Sequence, residues 1–196
     1  MKKFLSFLLF LFTISTLHTQ TYYGSGGLIP DDGSSVSFQI NVTGLSPSIL
    51  NTTHGLAMVT VNLLHPYDSD LQFSLVASNG DRVLLSYANG WDGDNYLNTH
   101  FTDTATLYIV QGAPPFNGYY RPQEILGNMN DGRLGNGIWK LEIQDMYAFA
   151  DQGTLLNWSI TFGNNPTGPF EFTSSNLPIV LINTNGQDIP DDPKIP

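Results

Sequence analysis

The chain has no cysteine among its 196 residues, which excludes a disulfide framework, a thiolate metal site and a cysteine nucleophile together. Basic residues are scarce as well. Seven Lys and Arg stand against 17 Asp and Glu, for a formal net charge of −10, and Lys2 and Lys3 sit in a leader expected to be removed. A surface this acidic repels phosphate backbones and anionic lipid headgroups, so nucleic acid and membrane-surface partners are excluded. Charged residues amount to 12%, whereas Gly and Pro number 19 and 12. That is the composition of a turn-rich β protein rather than a helical bundle built on Glu, Lys, Arg, Ala and Leu. No segment carries an apolar stripe at helical spacing, and past the leader no apolar run is long enough to span a membrane. The length suits one domain.

The two ends read differently from the middle. Residues 1–20 have Lys2 and Lys3, an apolar run from Phe4 to Phe12 and then Thr13, Ser15 and Thr16, the three-part layout of a secretory signal peptide. Cleavage is expected between His18 and Thr21, although no small-x-small site marks the bond. Export without cysteine suits a bacterial secreted or cell-surface protein. Residues 21–32 read as an N-terminal segment, 33–163 as the domain, and 164–172 as a linker through Gly163-Asn164-Asn165-Pro166-Thr167-Gly168-Pro169. Residues 173–196 hold one short apolar strand candidate around Ile179 to Ile182. A lone strand cannot satisfy its own edges, so this tail is expected to open a further, truncated domain.

Between these ends the dominant period is two. Leu156, Trp158, Ile160 and Phe162 alternate with Asn157, Ser159 and Thr161, while Trp139, Leu141 and Ile143 alternate with Lys140 and Glu142. The runs Val59 to Leu63 and Leu71 to Leu75 alternate in the same way. Val36 to Val42, Val83 to Ser86, Leu97 to Phe101 and Thr106 to Val110 complete a set of about seven or eight short strands separated by turn residues, which predicts an all-β, jelly-roll-like antiparallel sandwich. Trp139 and Trp158 are expected in its core. Trp91, Tyr119 and Tyr120 fall in loops, where local packing is expected, with contact to a glycan or a protein as the alternative.

The polar residues divide by context. His54, His65 and His100 lack the Gly-Thr-Ser or His-Gly-x-His surroundings of a serine protease triad. His65 reads as a turn residue beside Pro66 and Tyr67, and His54 and His100 as surface residues. The loop Trp91-Asp92-Gly93-Asp94-Asn95 gathers oxygen donors around a glycine, and Asp103 follows a strand. Asp92, Asp94, Asn95 and Asp103 are therefore candidate calcium ligands, because that ion takes carboxylate, amide and carbonyl oxygens and compensates their mutual repulsion. The loop is not an EF-hand. Asp145 and Asp151 bracket the last turn before the final strand, where they either join a cation site or cap the turn.

These residues spell a resemblance. Gly55 to Leu64, His65-Pro66-Tyr67-Asp68-Ser69-Asp70-Leu71, Leu75 and Ser78-Asn79-Gly80 resemble the first half of the P domain (P/Homo B). Gly137-Ile138-Trp139-Lys140-Leu141-Glu142-Ile143, Asp145 and Asp151-Gln152-Gly153-Thr154-Leu155-Leu156-Asn157-Trp158 are similar to its G-x-W-x-L and D-x-G-x-L-x-x-W strands, and Ala113 to Pro122 to a loop of its bacterial members. The resemblance covers Gly33 to Gly163 and implies a jelly-roll sandwich. Ala77-Ser78-Asn79-Gly80 departs from the family's Ser-Pro, and an Asn-Gly turn does the same work. The family follows the catalytic domain of kexin- and furin-like subtilases. The resemblance therefore implies a non-catalytic module that stabilises or positions a neighbouring domain of the same polypeptide or a surface protein. The alternative it implies is the accessory domain of a serine endopeptidase, with proteolysis by association. It also implies structural calcium, with Asp70, Asp94 and Asp103 at matching positions. Ser174-Ser175-Asn176-Leu177-Pro178 with Asn183 to Gly186 resembles the opening of CotH-type kinase-like domains.

Overall fold

A computed structural model describes residues 19–171; the leader's apolar run and the CotH-like tail lie outside the described residues. Strands β1 (Gln20–Leu28), β2 (Ser35–Val42), β3 (His54–Leu64), β4 (Leu71–Val76), β5 (Arg82–Tyr87), β6 (Tyr96–Phe101), β7 (Phe116–Tyr120), β8 (Gly137–Asp145) and β9 (Thr154–Asn164) follow in chain order. They form two sheets, one ordered β1-β9-β3-β6-β7 and the other β2-β8-β4-β5. The protein is an all-β sandwich.

Period-two patterning places one face of each strand between the sheets. Trp139, Leu141 and Ile143 from one sheet and Trp158, Ile160 and Phe162 from the other are fully buried there, with Phe73, Phe101 and Phe116. Rings meet edge to face, as at Trp139 and Phe162, whose centroids lie 5.6 Å apart. The Trp139 indole N–H donates to the Gly135 carbonyl at 2.8 Å. Strict alternation fails at the start of β9. Leu156, expected inward, is exposed and Leu155 is buried, because the β3–β9 register shifts between Asn62 and Leu63 and a bulge turns the chain over by one residue.

Two strands escape the pattern in the sequence. β1 carries Gly24, Gly26 and Gly27, which weaken a strand signal, yet it pairs along its length with β9 from Gln20 opposite Phe162 to Leu28 opposite Thr154. The sandwich thus begins before Gly33. Gly24 is required: a Cβ there would lie 2.3 Å from the Trp158 indole nitrogen. β7 hides in the Pro-flanked Ala113 to Pro122 stretch and pairs with β6 in parallel, the one exception to antiparallel pairing among these strands. A parallel pair needs a connection that returns along the strand. Thr106 to Val110 belongs to that crossover, so it forms only a Tyr108–Arg121 bridge and a 3-10 turn over Ile109–Gln111 instead of a strand.

The segment read as a linker is tied down. Buried Asn130 accepts the Leu56 N–H at 2.7 Å and donates to the carbonyls of Leu56 and Thr167 at 3.0 and 2.8 Å. The Asn165 N–H donates to the Thr53 carbonyl at 3.0 Å. A fragment beginning at Gly33 lacks β1, which packs on Trp158 through Gly24, and so uncovers that ring. Urea unfolding should show it about 3 kcal/mol or more less stable than one beginning at Thr19, on the scale of burying large side chains; equal midpoints would contradict the placement of β1.

Candidate functional site

The connections β3–β4, β5–β6 and β8–β9 assemble at one end of the sandwich through their backbones. The Asp68 N–H donates to the Gly93 carbonyl at 2.8 Å, Ser69 to Trp91 at 3.2 Å, Asn95 to His65 at 3.2 Å and Met146 to Asp70 at 2.7 Å. Gly90 permits this approach. Its φ is +103°, and a Cβ there would lie 2.8 Å from that of Asp68 and 2.9 Å from the Phe116 ring.

At the centre is His65, buried with Asp145. Its Nε2 lies 3.2 Å from Asp145 Oδ2. Its Nδ1 lies 2.8 Å from the Tyr67 carbonyl and 3.1 Å from the Tyr67 N–H. The imidazolium donates to both oxygens, whereas the neutral ring keeps its proton toward Asp145 and accepts from Tyr67. Either way both ring nitrogens are occupied inside the protein. Asp145 Oδ1 also accepts the Tyr147 N–H at 3.1 Å, so Asp145 caps the turn and pairs with His65. His54, expected on the surface, is buried instead with its Nδ1 3.2 Å from Asn164 Oδ1. His100 is half-buried, 2.9 Å from the Thr60 hydroxyl.

The six candidate ligands separate into four places, Asp145 being the buried partner of His65. Asp92 and Asp94 are exposed on the β5–β6 loop. Asn95 beside them uses its side-chain oxygen to accept the His65 N–H at 3.0 Å. Asp70 lines a cleft of about 390 Å³ with Tyr67, Tyr147, Ala150 and Asp151. Burial raises the Asp70 carboxyl above its ordinary range, the charges of Asp145 and Asp151 add to the rise, and His65 opposes it. Asp103 is elsewhere. It follows β6 at the end opposite Asn95, about 20 Å away along six residues of strand, and its two oxygens accept the N–H groups of Leu126 and Gly127 at 2.9 and 2.8 Å. Among the described residues no three His, Asp or Glu side chains gather as a metal-binding group.

The residue that sequence reasoning missed is Asp68. It is fully buried at the head of the 3-10 turn Asp68–Asp70. One oxygen accepts the Asn95 N–H at 2.9 Å; the other has no partner among the described residues. Burial pushes its carboxyl from 3.8 up to about 8, with Asp94 adding to the rise and the Asn95 N–H opposing it. The available signal was the Asp68-Ser69-Asp70 pair of carboxylates facing the Asn95 loop, of which only Asp70 was selected.

A carboxyl that holds its proton more tightly folded than unfolded contributes fully below about pH 3.8, and that contribution is lost as the pH rises to about 8. Urea unfolding in chelator should show stability falling through that window, by up to about 1.4 kcal/mol per pH unit. Asp68→Asn should remove most of the slope. A flat wild-type profile would contradict the burial of an unsatisfied acid.

The sequence profile described as the proprotein convertase P-domain matches residues 56–162. The chain is 32% identical over 136 residues to a transglutaminase-activating metalloprotease of Streptomyces mobaraensis, covering 68% of this chain and 14% of that protein. It is 27% identical over 135 residues to leupeptin-inactivating enzyme 1 of Streptomyces exfoliatus, covering 68% of this chain and 24% of that one. It therefore spans a quarter or less of these curated relatives. Among solved structures, a serine protease of Aeromonas sobria aligns over 76% of this chain and 27% of that chain, with 18% identity and a TM-score of 0.44. With the profile matching more than half of its length, the chain belongs to the proprotein convertase P-domain family.

Proposed function

We propose that this chain is a non-catalytic P-domain module of an exported bacterial protein, and that it stabilises or positions a neighbouring, protease-associated domain with calcium held at its loop end. The observation that carries the reading is the buried, unpartnered oxygen of Asp68. An anionic oxygen kept dry and unpaired is costly, and a hard cation satisfies it. Calcium takes six to eight oxygens of mixed origin. Asp68 and Asp94, whose charges already bear on one another, would hold it together with loop carbonyls, with Asp92 and Asn95 beside them. The ion would neutralise these carboxylates and so weld the β5–β6 loop to the β3–β4 turn. Asp70 lines the adjoining cleft, Asp145 is the buried partner of His65, and Asp103 serves the turn over Leu126–Met129.

The same end supports a docking role. Trp91 and Phe149 are 84% and 85% exposed and stand beside the acidic loops, a combination of aromatic anchors and charge that suits a protein surface contact. The relatives' names, a metalloprotease and an inactivating enzyme, favour a peptide-cleaving neighbour. Membership in the serine endopeptidase branch is the narrower alternative, and it would assign proteolysis to another domain because function resides in a site rather than in a fold. Export rests on the leader read in residues 1–20.

Calcium should raise the thermal midpoint of the 19–171 fragment, since a ligand bound only by the folded state stabilises it by about 2.7 kcal/mol at a hundredfold excess over Kd. Asp68→Asn should abolish the rise. Identical wild-type midpoints in millimolar calcium and in chelator would remove the calcium reading, and turnover of fluorogenic peptides by the isolated module would overturn the non-catalytic one.

A further inference from the structure

The outer faces of the two sheets differ in charge. The face of β2-β8-β4-β5 carries Lys140 and an Arg82–Glu142 ion pair. On the other face, register alone assembles a row that crosses every strand of the sheet. Tyr23 stands opposite Ser159, Ser159 opposite Thr60, Thr60 opposite His100, and His100 opposite Tyr119. One flanking row joins Ser25, Asn157 and Asn62; the other joins Thr21, Thr161 and half-buried Met58. No Asp, Glu, Lys or Arg stands in these three rows, in a chain with 17 acidic residues. Burial lowers the His100 pKa and so disfavours its cationic form.

The row has the profile of a trough. Tyr23 on β1 and Tyr119 on β7 occupy the two edge strands and are 80% and 61% exposed, while Ser159 between them is nearly covered. Four inter-strand steps of about 4.8 Å separate the two rings by about 19 Å. Tyr119 is held upright by stacking on His100, with centroids 4.7 Å apart. His100 is held in turn by Thr60 at 2.9 Å. Along the floor, Asn62 donates to Asn157 at 2.9 Å, and the Thr21 and Thr161 hydroxyls are bonded at 3.0 Å. The Ser159 hydroxyl, the His100 Nε2 and both tyrosine hydroxyls make no hydrogen bond to other described residues.

We infer that this face binds a neutral polysaccharide laid across the strands, with Tyr23 and Tyr119 as stacking platforms and the Ser159, His100 and Asn157 groups between them reading its hydroxyls. The chemistry fits on each count. Tyrosine offers a rigid apolar face at low entropic cost and a polar tip. A floor of hydroxyls and amides pairs with hydroxyls that are both donors and acceptors. The absence of charge matches an uncharged chain and gives no attraction to an anionic or cationic one. An apolar protein surface would leave the Asn and Ser groups unpaired, at a cost.

The test is affinity electrophoresis through gels containing soluble β-1,3-glucan, xylan or β-mannan, with pull-down on cellulose and chitin, using the full chain in chelator so that the result is independent of calcium. At least one neutral polysaccharide should retard or retain the protein. Tyr119→Ala and Tyr23→Ala should each weaken binding about tenfold or more, and Tyr87→Ala, on the other sheet, should leave it unchanged. Both tyrosines are exposed, and circular dichroism of the variants checks that the fold survives. Retention on none of these polysaccharides would overturn the inference. So would retention that neither substitution changes, or self-association in sedimentation experiments that both substitutions abolish.

Discussion

The loop end of this sandwich depends on the buried His65–Asp145 contact. Asp145 terminates β8 in one sheet and His65 directly follows β3 in the other, so the pair joins the two layers where their connections converge. Around it the backbone closes: Met146 donates to Asp70, Asn95 to His65, and the His65 N–H to the Asn95 side chain. Removing one member would strand a polar group in the interior, a far larger cost than an exposed ion pair contributes. Fixing that contact positions Tyr67, Asp70 and Tyr147, and hence the cleft they line.

Much of the fold was legible because burial on one face imposes period two. Trp139 and Trp158 announce their strands, and both occupy the core. Where the chain uses other means, the pattern weakens. β1 replaces side chains with glycine so that it can lie against Trp158. β7 is short and interrupted by Gly118, and it earns its place through a parallel pairing that no local signal records. Leu155 and Leu156 exchange faces because a bulge is a property of two strands together. The apparent linker after Gly163 is held by Asn130, a contact across more than thirty residues.

The candidate site was legible by composition and less so by geometry. Acidic loops were evident, yet Asp103 and Asn95 sit at opposite ends of β6, and a linear sequence does not say which ends of strands share a pole. Asp68 carries the largest electrostatic anomaly of this end because it points inward from a 3-10 turn, whereas its neighbour Asp70 points toward the cleft. His54 reads as polar surface and is buried by its pairing with Asn164. The loop end gathers Asp68, Asp70, Asp92 and Asp94 beside exposed Trp91 and Phe149, while the broad face of the larger sheet sets uncharged hydroxyls and amides between exposed Tyr23 and Tyr119.

The most direct measurement is native-state hydrogen exchange at the amides of Asp68, Asn95 and Met146, whose acceptors lie on neighbouring loops. If buried polar contacts weld these loops into the sandwich, those amides exchange only through global opening, with the same free energy as the central amides of β8 and β9. Exchange that is orders of magnitude faster than in those strands, at full global stability, would show that the loop end opens independently and would contradict the account.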